Sequence, residues 1–309
     1  MRESDLLKHV YAFNRALPDH VAIPPGDDMG ALALGDQTVL ITVDQVADGV
    51  HVQLGNTPLK LVARKAITRN LSDVAAMAAR PLGAVVAAAL PRRFTEAQAK
   101  ELFDSMRATA EAYQCPLIGG DISMWDHPLL LTVTVFAEPA GIGPILRSGA
   151  QPGDAVFVSG QLGGAWQKDG GGAHLHFEPR INLARKIAEH AGDALHSMID
   201  LSDGLASDLS HICEQSHAAA EIHLADLPAR LPGRDGPQHA LFDGEDYELC
   251  FTIAPDAADN LPTEIDGVTL TKVGHMLGEA DRPVESRLWL RLPDGTRQPL
   301  TKTGWEHHA

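Results

Sequence analysis

The sequence predicts a two-domain fold of the α/β or α+β class. In the first half, apolar and β-branched runs alternate with segments of helical periodicity, an order typical of sheets covered by helices. The 309 residues are 44% hydrophobic and 21% charged, a globular composition with enough apolar side chains for a sizeable core. A turn-rich stretch at 147–154 separates the halves, so we predict domains at 1–148 and 149–309.

The first half contains two predicted helices. Pro58–Ala79 has apolar residues at helical spacing, and in Phe94–Gln114 the pair Thr95 and Gln98 has the spacing of a capping box. The predicted strands are Thr38–Val43, Gly83–Leu90 and Leu129–Phe136.

The second half begins with a predicted strand at Ala155–Ser159. A loop at Gly160–Phe177 contains three consecutive glycines and has no role that the sequence indicates. A helix is expected from near Pro179, and another after Asp200 because Leu205, Leu209 and Ile212 share one face. Further predicted strands are Ser197–Ile199, Glu248–Ile253 and Val268–Val273.

The charge and the apolar pattern exclude several classes of protein. A formal net charge of −16 disfavours nucleic acid as a partner. No window approaches the length of apolar chain that crosses a membrane, and acids in the first thirty residues are wrong for a secretory signal. We therefore expect a cytoplasmic protein. Its three cysteines are far apart, which favours reduced structural thiols.

Acidic residues recur where apolar runs end. Runs finish at Asp44, Asp121 and Asp200, Asp28 follows a Pro-Pro-Gly turn, and Asp73 lies in a helical segment. Ligands of α/β proteins bind at the carboxyl ends of strands. Two charges ~4 Å apart repel by ~4 kcal/mol at an effective dielectric of ~20, so converging carboxylates need protons or cations between them. Oxygen-only donors favour Mg²⁺.

Each acid alone has a simpler explanation. Asp is common in turns, Asp73 could be a solvated helix acid, and Asp200 or Asp203 could cap the next helix. The recurrence of the pattern favours metal binding. The chain has neither a P-loop nor the catalytic-loop motifs of protein kinases, and Asp44 and Asp48 lack the ligand spacing of an EF-hand.

Eight motifs in order resemble the thiamine-monophosphate kinases of the aminoimidazole ribonucleotide synthetase superfamily, and the ending Gly304-Trp305-Glu-His307 is similar too. The resemblance covers nearly the whole chain. The motifs are Gly26-Asp-Asp28, Thr42-Val-Asp44, Asp48-Gly-Val-His51, Asn70-Leu-Ser-Asp73, Gly119-Gly-Asp121, Arg147-Ser-Gly149, Ile199-Asp-Leu-Ser-Asp-Gly204 and Gly244-Glu-Asp-Tyr-Glu-Leu249.

The resemblance implies ATP- and Mg²⁺-dependent phosphorylation of thiamine monophosphate to thiamine diphosphate. It also implies a homodimer in which two N-terminal domains share a β-barrel, and a C-terminal domain that completes the ATP cleft. Several Mg²⁺ ions would be held by Asp28, Thr42, Asp44, Asp73, Asp121, Asp200 and Asp203. Gly120, Asp121, Arg147 and Ser202 would bind ATP, and His51, Glu245 and Trp305 would bind thiamine monophosphate.

The expected chemistry is direct in-line transfer. Phosphoryl transfer needs positioning and charge neutralisation, and the attacking phosphate oxygen is already anionic near neutral pH, so we expect no covalent or general-base residue. Arg147 offers a planar fork to phosphate, and Trp305 could stack on a cationic ring. Each of these residues also has a simpler explanation. Arg147 could be a surface arginine in a turn, Trp305 could serve packing alone, and His51 could be a solvated histidine.

Two positions depart from the family pattern. Val43 replaces a Thr or Ser, which removes a hydroxyl near the expected metals, and Asp243 replaces a Gly before Gly244. Rival hypotheses are aminoimidazole ribonucleotide synthetase, selenophosphate synthetase, and a metal- or nucleotide-binding protein without turnover. The second rival should carry a reactive Cys near the N-terminus, where this chain has none before Cys115. A structural or interaction protein would leave the pattern of acids unexplained.

Overall fold

The computed structural model describes residues 3–12, 14, 17–278, 286–301 and 304. The strands are β1 (Val21–Ile23), β2 (Gly30–Leu34), β3 (Gln37–Ala47), β4 (Arg80–Pro91), β5 (Leu117–Trp125), β6 (Leu130–Glu138), β7 (Ala155–Ser159), β8 (Leu195–Asp200), β9 (Ala219–His223), β10 (Leu249–Ile253), β11 (Glu264–Ile265), β12 (Val268–Leu277), β13 (Leu288–Arg291) and β14 (Arg297–Pro299). The helices are α1 (Glu3–Tyr11), α2 (Leu59–Ala76), α3 (Glu96–Ala112), α4 (Ile181–Ala191), α5 (Leu205–Gln215), α6 (Gly236–Phe242) and α7 (Pro255–Ala258).

The first sheet has the strand order β1-β2-β3-β6-β4-β5, and only β4 and β5 pair in parallel. Two predictions of strand ends were wrong here. Pairing with β6 carries β3 past Asp44 to Ala47, and pairing with β4 carries β5 past Asp121 to Trp125. Both acids therefore lie inside strands, because hydrogen bonds to a neighbouring strand, rather than local sequence, decide where these strands stop.

The first sheet is open in the described part of one chain. Strands β1 and β5 form its edges, so the described strands of a single copy do not close into a barrel. A barrel shared with a second copy stays a prediction, as does the domain boundary at 148/149. The boundary falls between β6 of the first sheet and β7 of the second.

The second sheet has the order β14-β13-β9-β12-β7-β10-β8, with β11 beside β12. Its pairs are antiparallel except for β9 with β13. The predicted strand at Ala155–Ser159 is confirmed, and Asp200 is the last residue of β8 as expected. The mainly antiparallel pairing in both sheets gives a mixed α/β architecture closer to the α+β alternative.

Helix α2 is the central element of the fold. It contacts β3, β6, β8, α3 and α4, and twelve of its eighteen residues are buried. Leu71 and Val74 belong to a core that also contains Phe251 of β10, so the two sheets share packing through this region. Helix α3 covers α2 from outside and starts with the predicted capping box of Thr95 and Gln98. Helix α2 therefore presents residues to both halves of the chain.

Among the described residues, no helix combines the length and the apolar character that a membrane span requires.

Candidate active site

Three aspartates from distant parts of the chain converge beside α2. Asp28 lies between β1 and β2, Asp73 lies on α2, and Asp200 ends β8. One carboxylate oxygen from each lies within 4.8 Å of the others. We call this group the aspartate cluster. It brings together three of the predicted metal ligands.

Hydroxyl groups and one arginine hold the aspartate cluster. Thr42 Oγ1 donates a hydrogen bond to Asp73 Oδ2 at 2.5 Å, and Ser72 Oγ donates to Asp200 Oδ2 at 2.7 Å. Arg147 Nη2 donates to Asp28 Oδ1 at 2.7 Å. The second oxygen of Asp28 is buried and has no hydrogen-bond partner among the described residues. The cluster therefore has carboxylate oxygens still available to a ligand.

Burial and mutual repulsion raise the pKa of several acids here. Burial, followed by the charges of Asp44, Asp200 and Asp28, raises the pKa of Asp73 well above its usual value. The same two effects, with Asp28 the main neighbour, raise the pKa of Asp200 to about 7. Such shifts indicate negative charge that the protein leaves incompletely neutralised.

Asp44 lies next to the aspartate cluster on β3. Its carboxylate pairs with Arg69 Nε of α2 at 3.4 Å, and burial raises its pKa despite the charge of Arg69. Asp44 in turn raises the pKa of Asp73, so the two carboxylates interact. Thr42 and Asp44 are two positions apart on one strand and therefore point to the same side of the sheet.

Gly120 and Asp121 lie on the exposed edge strand β5 and are not members of the aspartate cluster. Among the described residues, the group of ligand atoms within 4.8 Å of one another contains Asp28, Asp73 and Asp200 but not Asp121. Gly120 also has a packing reason to be glycine: at φ +154°, a Cβ atom would lie 1.9 Å from the carbonyl oxygen of Val86.

Ser202 and Asp203 line a pocket of about 380 Å³ that also contains two predicted substrate-binding residues, His51 and Glu245. The remaining lining residues are Val50, Arg69, Trp166, Phe242, Asp243 and Gly244. Arg69 connects this pocket to the metal-ligand region, because it also pairs with Asp44. The predicted substrate residue Trp305 lies outside the described residues.

A buried lysine links His51 and Glu245, the two predicted substrate-binding residues in this pocket. Lys65 of α2 has no exposed side-chain surface; its Nζ donates to the His51 carbonyl oxygen at 2.8 Å, lies 2.7 Å from His174 Nδ1 and pairs with Glu245. Burial lowers the pKa of Lys65 to about 8. Burial opposes ionisation of Glu245, but His174, Lys65 and Arg69 together lower its pKa to about 2. Glu245 is therefore a carboxylate fixed in the anionic form.

A second acidic group lies on the C-terminal sheet. One ligand atom each of Glu221, His223 and His275 fall within 4.8 Å of one another, and we call this group the glutamate cluster. Its carboxylate already has cations: Arg291 Nε donates to Glu221 Oε1 at 2.6 Å, and Arg297 Nε pairs with Oε2. These arginines lower the pKa of Glu221 although burial opposes it.

Comparison with known proteins agrees with this geometry. Residues 26–138 match AIR synthase related protein, N-terminal domain, and residues 151–283 match its C-terminal domain. The thiamine-monophosphate kinase of Rhodopirellula baltica is 35% identical over 99% of this chain and 97% of its own length. The chain belongs to the thiamine-monophosphate kinase family.

Solved structures give the same family. AaThiL complexed with AMPPCP and TMP has a TM-score of 0.78 at 25% identity, covering 99% of this chain and 97% of that one. The thiamine-monophosphate kinase from Stenotrophomonas maltophilia K279a has a TM-score of 0.71 at 31% identity, covering 95% and 96%. The recognition of this kinase family from sequence motifs is therefore confirmed.

Sequence reasoning missed several residues of this candidate site. Lys65, Arg69 and Ser72 all lie on α2, where an isolated lysine or arginine would usually face solvent. Helical periodicity gave no signal for Lys65, because at about 100° per residue its side chain falls outside the arc of apolar residues that runs from Val62 to Leu71. Trp166 and His174 lie in the Gly160–Phe177 loop, for which no regular periodicity gives a prediction.

Proposed function

We propose that this chain transfers the γ-phosphoryl group of ATP to thiamine monophosphate and forms thiamine diphosphate. The observation that carries the proposal is the aspartate cluster next to a pocket that contains His51 and an anionic Glu245. The relatives named above are thiamine-monophosphate kinases, and AaThiL was solved with AMPPCP and TMP. This combination suits an acceptor with a cationic ring and a donor whose anionic phosphates need neutralising.

The donor atoms of the aspartate cluster fit Mg²⁺. All are oxygens, one buried oxygen of Asp28 is unpartnered, and the raised pKa of Asp73 indicates a need for positive charge. Asp28, Thr42, Asp44, Asp73 and Asp200 would form one group of ligands, with Asp121 and Asp203 as further predicted ligands. Bound there, Mg²⁺ would neutralise charge on the transferring phosphoryl group.

The nucleotide side of the proposed site contains Arg147 and Ser202, with Gly120 and Asp121 on β5. Arg147 is well held: its guanidinium donates to Asp28, and its backbone N–H donates to Asp27 Oδ1 at 3.2 Å. A guanidinium fixed in this way can bind phosphate oxygens at little entropic cost. His51, Glu245 and Trp305 stay the proposed contacts of thiamine monophosphate.

Transfer is proposed to be direct, from ATP to the substrate phosphate. Pocket residues would orient the acceptor oxygen in line with the γ-phosphoryl group, and no side chain would carry a phosphoryl intermediate. Incubating the enzyme with γ-labelled ATP without thiamine monophosphate should leave the protein unlabelled. A protein-bound label that survives denaturation would contradict direct transfer.

A homodimer is proposed through the first sheet. Its edge strand β5 leaves Ile118 at 66%, Ile122 at 59% and Met124 at 44% exposed, an apolar edge that pairing with a second copy would cover. Sedimentation should give a dimer for the unmodified protein and a monomer for Ile122→Lys. A monomeric unmodified protein at micromolar concentration would exclude this assembly.

We also propose a cytoplasmic location. The three cysteines are all buried and unpaired, which suits a reducing compartment.

The first experiment is a product assay. The protein is incubated with thiamine monophosphate, ATP and Mg²⁺, and thiamine diphosphate and ADP are separated by chromatography. Equimolar products that disappear with EDTA and with Asp44→Asn support the kinase. ATP consumption without thiamine diphosphate would favour another member of the superfamily, and intact ATP would favour a binding protein.

A further inference from the structure

The Gly160–Phe177 loop forms one wall of the pocket. It joins β7 to α4, and its Trp166 lines the same cavity as His51 and Glu245. The indole is partly exposed, unlike Leu162 and Ala165 nearby, which are buried. The loop therefore presents an aromatic surface to the space where the acceptor is proposed to bind.

Hydrogen bonds fix the start of this loop. Gly163 N–H donates to Asp246 Oδ2 at 2.7 Å, and Gly164 N–H donates to Asp243 Oδ2 at 2.9 Å. Asp243 is the residue that replaces a glycine of the family pattern, so the structure connects that departure with the unusual loop. These two backbone hydrogen bonds lie within three residues of Trp166 and restrict the positions that its indole ring can adopt.

A close contact fixes the other side of the loop. Gly172 has φ +122°, and a Cβ atom there would lie 2.2 Å from the carbonyl oxygen of Ala165. His174 N–H also donates to that carbonyl oxygen at 3.2 Å. The loop thus returns onto Ala165 and brings His174 next to Trp166.

His174 and Lys65 support the indole. The rings of Trp166 and His174 stack with centroids 4.2 Å apart and planes 26° from parallel, and Lys65 Nζ lies 5.1 Å from the Trp166 ring centroid. Lys65 and His174 are both completely buried. A platform of buried polar groups therefore holds Trp166 on one side, while the rest of the ring borders the pocket.

The pocket combines this aromatic surface with an anion. Glu245 is held by Lys65 and Tyr247, whose hydroxyl donates to Glu245 Oε1 at 3.1 Å. An aromatic face beside a fixed carboxylate is the chemistry that recognises a flat, positively charged ring. The lining also contains the acids Asp203 and Asp243 and one further cation, Arg69.

We propose that Trp166 determines substrate specificity by packing against the cationic heteroaromatic ring of the acceptor. Lys65 and His174 are positioning residues that support the indole, and Asp243 anchors its loop. This inference rests on the proposed function, because thiamine monophosphate supplies such a ring.

Trp166→Leu tests the proposal because it removes the ring and keeps an apolar side chain. We expect the KM and the directly measured Kd for thiamine monophosphate to rise about 10-fold, as loss of a stacked cation contact implies. Trp166→Phe keeps a ring and should restore most of the affinity. The KM for ATP should change by less than about two-fold, because Trp166 lines the pocket with His51 and Glu245 and is not part of the aspartate cluster.

Two controls separate ring recognition from general damage. Trp289→Leu makes the same substitution on β13, outside the pocket, and should leave every constant unchanged. Ethyl phosphate, which has the phosphate group without a ring, should inhibit unmodified enzyme and Trp166→Leu with the same inhibition constant. A Kd for thiamine monophosphate that is equal in Trp166→Leu and unmodified protein overturns the proposal.

Asp243→Gly provides a second variant if Trp166→Leu does not fold. Loss of the carboxylate that accepts from Gly164 should raise the KM for thiamine monophosphate, whereas Asp243→Asn keeps an acceptor oxygen and should stay close to unmodified enzyme. Equal KM values in Asp243→Gly and unmodified enzyme would contradict the anchoring role. If unmodified protein neither binds nor phosphorylates thiamine monophosphate, the proposed function fails instead.

Discussion

The aspartate cluster and the glutamate cluster are both groups of buried and partly buried side chains, yet they differ in how the charge of their carboxylates is neutralised. In the glutamate cluster, Arg291 and Arg297 pair with the two oxygens of Glu221. In the aspartate cluster, hydroxyl groups contact Asp73 and Asp200, and none of the ion pairs within the described ranges includes these two acids. The pKa of Glu221 is lowered and the pKa of Asp200 is raised.

We infer from this difference that the glutamate cluster is structural, whereas the aspartate cluster is the proposed metal site. A carboxylate that already has two guanidinium partners has little to gain from a metal ion, since the ion would have to displace them. Carboxylates whose charge is not compensated destabilise the folded state through mutual repulsion. A cation that binds them removes this repulsion and stabilises the folded state. Substitutions that remove one charge should therefore have opposite effects on stability in the two clusters.

The largest effect is expected from Asp200→Asn in the aspartate cluster. Removing one predicted ligand should lower kcat about 1000-fold, because the phosphoryl group then loses charge neutralisation. The same change removes a repelling charge, so the metal-free variant should melt no lower than unmodified protein. Product chromatography and calorimetry measure the two properties.

Asp104→Asn on α3 is the matched control, since it removes an exposed carboxylate far from the cluster. It should change neither property. A kcat of Asp200→Asn within tenfold of the unmodified value would remove Asp200 from the proposed metal site.

Glu221→Gln should have the next largest effect, and on stability alone. The side chain of Glu221 has no exposed surface, whereas Arg291 and Arg297 are 47% and 36% exposed. Loss of its charge should lower the free energy of unfolding by about 2 kcal/mol, less than for a fully buried pair because water reaches both arginines. Urea titration measures this. The kcat of folded enzyme should not change, and Glu264→Gln, at an exposed glutamate, is the control.

Stability of the metal-free protein should depend on pH through Asp200. Its folded pKa of about 7 exceeds the usual value of 3.8, so the folded state binds this proton more tightly than the unfolded state. The resulting stabilisation is complete below the unfolded pKa and is lost as the pH rises through the folded pKa. The melting temperature without metal should therefore be about 2–4 °C higher at pH 6 than at pH 8.

Mg²⁺ should reduce the pH dependence of the melting temperature. Added at pH 8, it should raise the melting temperature and reduce the difference between the two pH values, because the cation replaces protons among the carboxylates. Asp200→Asn should show a smaller pH difference without metal. If metal-free protein is more stable at pH 8 than at pH 6, the aspartates are not the groups that control stability in this range.

Val43→Thr should have the smallest effect. Val43 replaces a family Thr or Ser, which suggested a lost contact with metal, but its side chain is 58% exposed on β3. Strand alternation puts it on the opposite face from Thr42, whose hydroxyl contacts Asp73. Both kcat and the KM for ATP should change by less than about two-fold. A larger gain in activity would mean that position 43 does reach the phosphates.

The local features of this fold were predictable where they depend on neighbouring residues. The capping box at Thr95 and the strand at Ala155–Ser159 follow from short-range patterns, and the structure confirms both. The positions of Asp44 and Asp121 within their strands did not follow, because strand length depends on pairing with residues distant in sequence. Short strands such as β9 and β13 were missed for the same reason.

Part of the site was predictable for a different reason. Motif resemblance selected Asp28, Asp73 and Asp200 among seven predicted metal ligands, but only the fold brings the oxygens of these three together. The motif resemblance gave no indication that Lys65 would be buried and paired with Glu245, because the side chain of a lysine in a helix usually extends into solvent. Contacts that span more than a hundred residues, such as Lys65 with His174, leave no periodic pattern in either segment.

Helix α2 constrains how this enzyme can change over time. Lys65, Arg69, Ser72 and Asp73 serve the pocket and the aspartate cluster from one helix, at spacings that keep them on neighbouring faces. One inserted or deleted residue between Lys65 and Ser72 would rotate the second group by about 100° relative to the first. Substitutions on its outer positions can accumulate, whereas its length between these residues should stay constant among active relatives.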